Sequence, residues 1–319
     1  MATWEGARFI GPQLESILSQ TRAPDTLLIR DDRSADGTPD LIAEALAGVP
    51  FPWHLSVNPV RLGAVGNFSQ LLAAAECDIV VLTDQDDLWH PERLSTIEAA
   101  LTRPGIDAVF HNATLIDGEG HHLGGDLWSS VGFTGRYRRM FGRNPLQLLL
   151  NRNVVTGATL AVRRSLLGRA LPVGRAAWHD HWLALVAAAT GQVFLLDQPL
   201  TSYRLHGGNA AGLDAPAMMD KVRARLSRPM ALTDDINRYT DLAGHLRGIG
   251  APPHSIQLVD ARVHVAMQRA RLPRSSAVRA ARVLATLPNG DYWRFGSGLR
   301  SAAYDILGHS TLTSDQILG

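Results

Sequence analysis

The feature that most constrains the fold is an apolar, β-forming run that passes without a break into a cluster of acids. The run Asp78–Thr83 reads Asp-Ile-Val-Val-Leu-Thr, and Asp84-Gln85-Asp86-Asp87 follows it directly. A continuous apolar run of this length is typical of a strand that is buried on both faces of a parallel sheet. Ligands of open α/β sheets bind beyond the carboxyl ends of the strands, so we expect residues 84–87 at a ligand site.

Similar runs alternate with segments of helical period through the first half of the chain, which predicts βαβ units. The predicted strands of this half cover residues 26–30, 54–57, 78–83 and 108–110, and the predicted helices cover 8–20, 38–46, 67–75 and 91–101. A loop is predicted over 117–135. Further helices are predicted over 144–150 and 180–190, and further strands over 159–162, 192–196 and 200–203.

Strand signals stop near residue 214, and Arg-rich amphipathic patterns follow. We therefore predict an α/β domain over 1–213, with halves 1–110 and 111–213, and a mainly helical C-terminal extension over 214–319. The extension holds 14 Lys and Arg against 9 Asp and Glu, whereas the first 213 residues hold 17 against 21. An acidic domain suits a divalent metal. The basic extension is either a solvated helical face or a contact with an anionic membrane surface.

Composition indicates the cellular compartment of the protein and the classes of partner it can bind. The single cysteine, Cys77, excludes an internal disulfide framework and favours a reducing compartment. No stretch reaches the roughly 18 apolar residues of a membrane span, and the polar run after Met1 does not resemble a signal peptide. We therefore predict a cytoplasmic protein, with peripheral contact at the inner face of the cell membrane as the candidate role of the extension. No recognised module or aromatic interleaving points to a nucleic-acid partner.

A second acidic turn, Asp31–Thr38, follows the first predicted strand. Capping and Asx-turn chemistry accounts for Ser34, Asp36 and Gly37 in that turn. The same chemistry accounts poorly for three carboxylates among residues 84–87, because clustered carboxylates repel one another unless a cation lies between them. The tetrad therefore predicts a divalent metal site.

Four motifs now occur together in one order, and over roughly residues 2–212 the chain resembles the inverting family 2 glycosyltransferases. The motifs are Ala2-Thr3-Trp4-Glu5-Gly6, Ile17-Leu18-Ser19-Gln20-Thr21, Asp31-Asp32-x-Ser34-x-Asp36-Gly37-Thr38 and Asp84-x-Asp86-Asp87-x-Trp89-x-Pro91. The tetrad with Leu88-Trp89 resembles the rhamnosyltransferase branch. The resemblance implies the GT-A fold, a Rossmann-like mixed sheet flanked by helices, with a nucleotide-binding half at 1–110 and an acceptor half at 111–213. Trp4-Glu5 departs from the family, which usually has Tyr-Asn there.

The resemblance also implies a set of residues around the donor nucleotide sugar. The residues so implied are Thr3, Asp31, Asp32, Arg61, Asn67 and Asp84. The first three would line the base and ribose, and Asp84 would contact the ribose or a metal-bound water. Arg61 and Asn67 would lie near the diphosphate or the donor sugar, with a solvated loop arginine as an equal alternative for Arg61.

The implied metal ligands and catalytic base lie further apart in the sequence. Asp86 would bind Mg²⁺ or Mn²⁺ between the two phosphates, and His206 would complete the metal site, unless it is a loop histidine bonded to backbone. Asp180 is implied as the base. Chemistry agrees, because an acceptor hydroxyl must lose its proton as it attacks the anomeric carbon. The alternative is that Asp180 caps a helix whose Trp178 and Trp182 lie in the core.

The expected reaction moves a sugar, with rhamnose among the candidates, from a dTDP- or UDP-sugar to a hydroxyl of a glycan or lipid-linked acceptor. It would proceed with inversion, in the synthesis of cell-surface polysaccharide or glycolipid. A nucleotidyltransferase is one rival, but residues 3–8 do not form its Gly-rich, basic phosphate loop. An inactive sugar-nucleotide-binding protein is another. A phosphatase with an aspartyl nucleophile in the tetrad leaves Asp180 without a role.

The start of the chain is unusual for a βα unit. Such a unit begins with an apolar strand, but residues 3–20 resemble the loop and helix that follow one, so only Met1 and Ala2 would remain of it. In this fold class that strand lies between those ending at Asp31 and Asp84, and a sheet without it leaves backbone groups unpaired. Either the true start lies upstream, in which case we expect about five more apolar, β-forming residues encoded in frame before Met1, or the 319-residue chain is a compromised product.

Overall fold

The computed structural model describes residues 1–174, 177–206 and 230–307. The first two ranges are mixed α/β, and the third contains helices without a strand. The basic residues Lys221, Arg223, Arg225 and Arg228, and the predicted boundary after residue 213, lie outside the described residues.

Three short parallel strands form the N-terminal sheet. Strand β1 (Ala2–Thr3) pairs with β2 (Leu27–Asp31), and β2 pairs with β3 (Trp53–Val57). The connecting helices are α1 (Ile10–Leu18), α2 (Thr38–Ala45) and α3 (Gly63–Ala74). Because the strands are parallel, the loops after β1 and β2 meet at one edge of the sheet, and that edge carries the first acidic turn.

The second sheet is mixed, with the order β4-β8-β6-β9-β5 and with β7 added to β6. Its strands are β4 (Ile79–Val81), β5 (Leu88–Trp89), β6 (Ile106–Ile116), β7 (His122–Asp126), β8 (Leu160–Arg163) and β9 (Gln192–Arg204). The helices of this part are α4 (Arg93–Leu101), α5 (Leu127–Ser130), α6 (Gly135–Arg143), α7 (Pro145–Leu149), α8 (Arg164–Ala170) and α9 (His179–Thr190). Strands β6 and β9 run parallel, whereas β4, β5 and β7 pair antiparallel with their neighbours.

Helix α9 is the centre of the core. It is buried on almost every side, as expected for a helix enclosed by other elements rather than lying on a surface. It contacts α7, α8 and β9, and it also contacts the C-terminal helices. Its amino end opens towards the acidic loop after β4.

The C-terminal helices cover the far side of α9. They are α10 (Met230–Gly248), α11 (Pro253–Ala270), α12 (Ser276–Thr286), α13 (Asp291–Arg294) and α14 (Leu299–Leu307). Helices α10 and α11 pack against each other and against α9, so they extend the main core. No helix in the described part of the chain has the length and apolar character needed to cross a membrane.

Two predictions of secondary structure are wrong in the second sheet. The expected strands 192–196 and 200–203 form one strand, β9, whose pairing with β6 is irregular around Pro199. Proline lacks a backbone donor, so the ladder is interrupted there without the strand ending. The expected loop 117–135 contains β7 and α5, because the Gly-rich segment gains pairing with β6 that no local pattern reveals.

Strand β4 also differs from the prediction of burial on both faces. Its three residues are only half-buried, and among the described residues it pairs with β8 alone. On its other side β1 reaches it only beyond its carboxyl end, where Ala2 N donates to Thr83 O at 3.3 Å. The space between β2 and β4, lined by Leu27, Leu28 and Ile79–Val81 and here called the β2–β4 slot, contains no strand of the described residues beside the amino-terminal part of β2.

Candidate active site

The loop after β4 is held against the loop after β1 by Gln85. Trp4 N donates to Gln85 Oε1 at 2.8 Å, and Gln85 Nε2 donates to Trp4 O at 2.8 Å. A Cβ at residue 6 would stand 2.2 Å from Gln85 Oε1, so Gly6 is required for this approach. The sequence analysis did not single out Gln85, because a paired amide gives no signal until its distant partner is known.

Three carboxylates meet in front of this loop. Asp84 and Asp86 come from the loop after β4, and Asp180 comes from the first turn of α9. Burial raises the pKa of Asp84 to about 7, and the negative charges of Asp86 and Asp180 add to the effect. The structure thus brings together the predicted donor, metal and base residues, which lie up to 96 positions apart in the chain (180 − 84).

His206 joins this group from the end of β9. Its Nε2 lies 2.9 Å from Asp86 Oδ2, and both side chains are about 15% exposed (16% and 15%). A carboxylate and an imidazole at this separation are suitable ligands for one divalent ion. The described residues contain no group of three or more metal-ligating side chains. A two-residue set fits Mg²⁺ or Mn²⁺ held jointly with substrate phosphates and water.

Asp180 lies within the first turn of α9 rather than at its N-cap, which is Trp178. Its Oδ2 accepts from Gly157 N at 2.9 Å, and its Oδ1 accepts from His181 N at 2.6 Å. These hydrogen bonds hold the Asp180 carboxylate at the amino end of α9, where it stays partly exposed. Trp182 is a core residue, as the capping alternative predicted, and it donates to Ala170 O at 2.6 Å, whereas Trp178 is only half-buried.

Asp31 and Thr3 meet at the carboxyl ends of β1 and β2, and both are buried. Thr3 Oγ1 donates to Asp31 Oδ2 at 2.7 Å, and Ser34 donates to Asp31 through its backbone N and its hydroxyl, each at 2.7 Å. The carboxylate therefore shapes the first acidic turn from inside. Direct contact of these residues with the nucleotide stays a prediction.

Asp32 and Asn67 belong to a second internal network. Asp32 accepts from the backbone N–H groups of Leu62 and Gly63 at 2.7 Å, and from Asn58 Nδ2 at 2.9 Å. Asn58 Nδ2 also lies 3.1 Å from Asn67 Oδ1, and Asn67 Nδ2 donates to the backbone. This network fixes the start of α3 beside the site. Asn58 is a residue that the sequence analysis missed.

Arg61 lies on the outer wall of the site. Its guanidinium stacks over the Trp4 ring, 3.5 Å from the ring centroid, and both side chains are exposed. A cation–π pair of this kind presents a flat, positively charged surface to solvent. Trp4 occupies the position where the family that the chain resembles usually has tyrosine, and its ring packs against the Arg61 guanidinium.

Two buried arginines support the acidic loop from behind. The Arg204 side chain donates to the backbone carbonyl of Asp86 at 2.7 Å, and its own N–H donates to Asp87 Oδ1 at 2.9 Å. Arg93 donates to Leu82 O and Ala158 O and stacks on Trp89. Burial lowers the pKa of Arg93 to about 9, although Asp87 and Asp84 oppose the shift. The sequence analysis did not single out Arg93, because its position near the start of a predicted helix gives no sign that the side chain is buried behind the acidic loop.

Comparison with known proteins places this geometry in a family. Residues 1–170 match the profile of Glycosyl transferase family 2. The match covers more than half of the chain and includes the loops after β1, β2 and β4. It ends before Asp180 and His206, so the roles of these two residues depend on the geometry.

Three curated relatives match the chain at 25–29% identity. An uncharacterised glycosyltransferase of Nostoc sp. is 26% identical over 225 residues, which is 66% of this chain and 64% of the relative. An uncharacterised protein of Mycobacterium tuberculosis is 25% identical over 248 residues, 74% of this chain and 66% of the relative. The dTDP-rhamnosyl transferase RfbG of Shigella flexneri is 29% identical over 117 residues, 35% of this chain and 38% of the relative. The chain therefore spans less than two thirds of the length of these relatives.

Solved structures share the fold at low identity. The mannosyltransferase PcManGT of Pyrobaculum calidifontis, in complex with GDP-Man and Mn²⁺, has 18% identity and a TM-score of 0.52, covering 96% of this chain and 83% of that one. Residues 1–349 of TarS from S. aureus, in complex with UDP-GlcNAc, have 14% identity and a TM-score of 0.58, covering 97% and 87%.

Proposed function

Because the chain belongs to glycosyl transferase family 2 and has the GT-A fold, we propose that it transfers a sugar from a nucleoside-diphosphate donor to an acceptor hydroxyl with inversion. The observation that carries the proposal is that Asp84, Asp86 and Asp180 lie close enough together for the charges of Asp86 and Asp180 to raise the pKa of Asp84. A carboxyl whose pKa is raised by burial and by neighbouring negative charges, as that of Asp84 is, is costly for stability, and such groups concentrate at functional sites.

The proposed site has two tasks, metal binding and proton transfer, and different residues carry them out. Asp86 and His206 are the residues that would hold a divalent ion, which when bound supplies counter-charge to the diphosphate leaving group. Asp180 accepts the proton of the acceptor hydroxyl as that oxygen attacks the anomeric carbon. The N–H groups of Gly157 and His181 keep the Asp180 carboxylate oriented towards the acceptor. A single displacement inverts the anomeric centre, and no residue of the chain is needed as a nucleophile.

The donor side is built from the networks around β1 and β2. Asp31 and Asp32 hold the loops that form the walls of a nucleotide pocket, and the Arg61–Trp4 pair offers a cation to the diphosphate or the donor sugar. Weak similarity to a dTDP-rhamnosyl transferase supports dTDP-rhamnose as one donor to be tested, beside UDP-sugars. The acceptor proposed is a glycan or a lipid-linked glycan, so the protein would act in cell-surface polysaccharide or glycolipid synthesis.

The test is a panel of dTDP-, UDP- and GDP-sugars assayed for nucleotide release and for product stereochemistry, with Mg²⁺, with Mn²⁺ and with chelator. We expect one donor class to support turnover, inversion at the anomeric carbon, and loss of turnover in chelator. Retention of configuration would contradict the proposed single displacement. Full activity in chelator would contradict the assignment of Asp86 and His206.

The same panel separates the rival functions. Donor binding measured by calorimetry, without turnover on any acceptor, would favour a sugar-nucleotide-binding protein. Release of pyrophosphate from a nucleoside triphosphate and a sugar phosphate would favour a nucleotidyltransferase.

A further inference from the structure

The amino end of α9, which carries Asp180, is not held by a local cap. Its N-cap residue is Trp178, whose side chain forms no capping hydrogen bond. A helix start of this kind depends for its position on packing and on side chains further along the helix. In α9 those side chains are His181 and Trp182, which directly follow Asp180 and are both buried. The groups that hold these two residues therefore also hold the proposed base.

Each of the two side chains bonds to the last carbonyl of a neighbouring helix. His181 Nε2 lies 2.9 Å from Leu149 O at the end of α7, and Trp182 Nε1 donates to Ala170 O at the end of α8, at 2.6 Å. Because a carbonyl only accepts, His181 Nε2 is the donor in its contact. Burial lowers the pKa of His181 to about 4, so the ring is neutral near neutral pH and its single N–H is used in this bond.

The C-terminal helices bond to the adjacent carbonyls at the same two helix ends. Arg262 of α11 donates from Nε to Leu150 O at 3.0 Å, one residue beyond the α7 carbonyl just described. His245 of α10 places Nε2 2.7 Å from Arg169 O, one residue before the α8 carbonyl. The last carbonyls of a helix have no partner within the helix, so they are free for such bonds. The start of α9 and the C-terminal helices are thus attached to the same two helix ends.

Arg262 and His245 are each fixed by a second contact. Arg262 is buried, forms an ion pair with Asp235 of α10 and lies over the Tyr239 ring, 5.0 Å from its centroid. The His245 ring packs edge-on against Trp182, with the ring centroids 5.0 Å apart. Because desolvation offsets most of the attraction in a buried ion pair, the pair with Asp235 mainly sets the direction of the Arg262 guanidinium, towards the end of α7.

These contacts lie outside the region that the family profile matches. The profile ends at residue 170, whereas Arg262, His245 and the start of α9 all lie beyond it. Asp305 of α14 differs from this pair, because it bonds to Arg269 and Tyr292, which belong to the C-terminal helices themselves. A role in the active site is therefore expected for particular residues of α10 and α11 and not for the C-terminal helices as a whole.

We propose that Arg262 and His245 are positioning residues for Asp180, which they hold in place through the ends of α7 and α8. The inference rests on the proposed function, in which Asp180 is the base. If either helix end shifts, the first turn of α9 moves with it, and the Asp180 carboxylate turns away from the acceptor hydroxyl. Such a shift slows proton transfer but leaves the donor side unchanged, because the donor side is built around β1, β2 and β4.

The experiment uses the full chain and a matched pair of substitutions at residue 245. His245→Phe keeps a ring against Trp182 but cannot donate to Arg169 O, whereas His245→Gln retains a donor of similar reach. We expect kcat to fall about 10-fold in His245→Phe with an unchanged donor Kd, and to return to within about twofold of wild type in His245→Gln. Arg262→Lys keeps a charge beside Asp235 but loses the Nε donor, and it should lower kcat in the same way.

Ser255→Ala is the control for a loss of packing alone. Ser255 of α11 is buried and donates to Ala189 O, near the far end of α9, at 2.8 Å. We expect it to lower Tm by about 3 °C while kcat stays within about twofold of wild type. Amide exchange at Gly157, whose N–H donates to Asp180, needs no substrate. It should become about 10-fold faster in His245→Phe and stay unchanged in Ser255→Ala.

The positioning role and the proposed function fail in different ways. If the wild-type chain has no turnover with any donor, the proposed function fails, and exchange at Gly157 alone decides the positioning role. Normal kcat and normal exchange in both His245→Phe and Arg262→Lys would overturn the positioning role and leave the proposed function intact. An equal loss of kcat in His245→Phe, His245→Gln and Ser255→Ala would also overturn it, because the C-terminal helices would then only stabilise the fold.

Discussion

The carboxylates of the active site and those of the C-terminal helices have opposite surroundings. Asp305 of α14 is buried and accepts two hydrogen bonds from Arg269, at 2.7 and 2.9 Å, and one from Tyr292 at 2.9 Å. Asp84 lies near the carboxylates of Asp86 and Asp180, whose effect on its pKa the Met1 amine and Arg93 oppose only in part, and within the described ranges neither Asp84 nor Asp180 forms an ion pair with a side chain. Asp86 lies beside the imidazole of His206, whose Nε2 is 2.9 Å from its Oδ2.

This difference separates stabilising acids from functional ones. A buried carboxylate that is fully paired contributes to the fold and has no capacity left for a ligand. A group of unpaired carboxylates lowers the stability of the fold, because like charges repel. Binding of a cation together with an anionic substrate reduces this repulsion. The comparison therefore predicts that substitutions in the first region change catalysis and that substitutions in the second change stability.

The largest effect is expected for Asp86→Ala. It removes a ligand of the proposed ion, so the diphosphate loses its counter-charge, and turnover should fall by about 10³-fold or more. Steady-state rates of nucleotide release at saturating Mn²⁺ would measure this. Asp40→Ala, which removes an exposed acid of α2, serves as the control and should retain full activity. A variant Asp86→Ala with normal turnover would remove the basis for the metal site.

The opposite pattern is expected for Asp305→Asn. The substitution leaves Arg269 partly buried without its partner charge, so the free energy of unfolding should fall by about 3 kcal/mol. Chemical denaturation measures the loss, and turnover at a temperature where the variant is folded should stay within about twofold. The double variant Asp305→Asn/Arg269→Met should recover part of the stability. Loss of turnover without loss of stability would mean that the helices take part in catalysis.

Asp180→Asn tests the base within the unpaired group. Asparagine cannot accept the proton, so turnover should fall by about 10²-fold or more while donor affinity is nearly retained. Calorimetric titration with the donor and single-turnover rates would separate the two. If donor affinity collapses and turnover per bound donor survives, Asp180 is a residue of the donor pocket or of the helix start.

The sequence predicted the structure best where the local residue pattern alone determines whether a segment is a helix or a strand. The helices predicted for the first half, and the strands predicted over 26–30, 54–57 and 78–83, have bounds within a few residues of those observed, because each carries its own period and turn residues. Strand β5 was not predicted, and β6 runs well beyond the predicted 108–110. The acidic loop was predicted as part of a site because capping accounts poorly for three carboxylates within four residues, and Asp180 was implied as the base by the resemblance to the family. The family profile and the structural neighbours confirm the predicted family and fold.

The features that sequence reasoning missed are those made by distant pairing. Gln85 acquires its role from the backbone of Trp4, and β7 exists only because β6 lies beside it. Strand β4 was expected to be buried on both faces, but its three residues are only half-buried. Periodicity reports which residues prefer burial, whereas actual burial depends on the partners that the chain provides.

The smallest effect concerns the surface of the C-terminal helices, which we propose makes weak contact with anionic lipid. Val278, Leu284 and Trp293 are large apolar residues that are each more than half exposed (55%, 56% and 52%), and exposed arginines such as Arg282 lie among them. Apolar and basic groups exposed together are typical of surfaces that bind anionic membranes.

Sedimentation with phosphatidylglycerol vesicles, and with phosphatidylcholine vesicles for comparison, measures this contact. Arg282→Gln should weaken binding to the anionic vesicles by about fivefold, and high salt should weaken it further. Arg247→Gln is the matched control, because the Arg247 guanidinium already pairs with Asp260 and should contribute little to lipid binding. If the two variants behave alike, or if binding does not depend on salt, the exposed arginines are only a solvated face. The active site and the C-terminal helices would then differ only in how their carboxylates are paired. Unpaired carboxylates would indicate a functional site, whereas unpaired arginines would not.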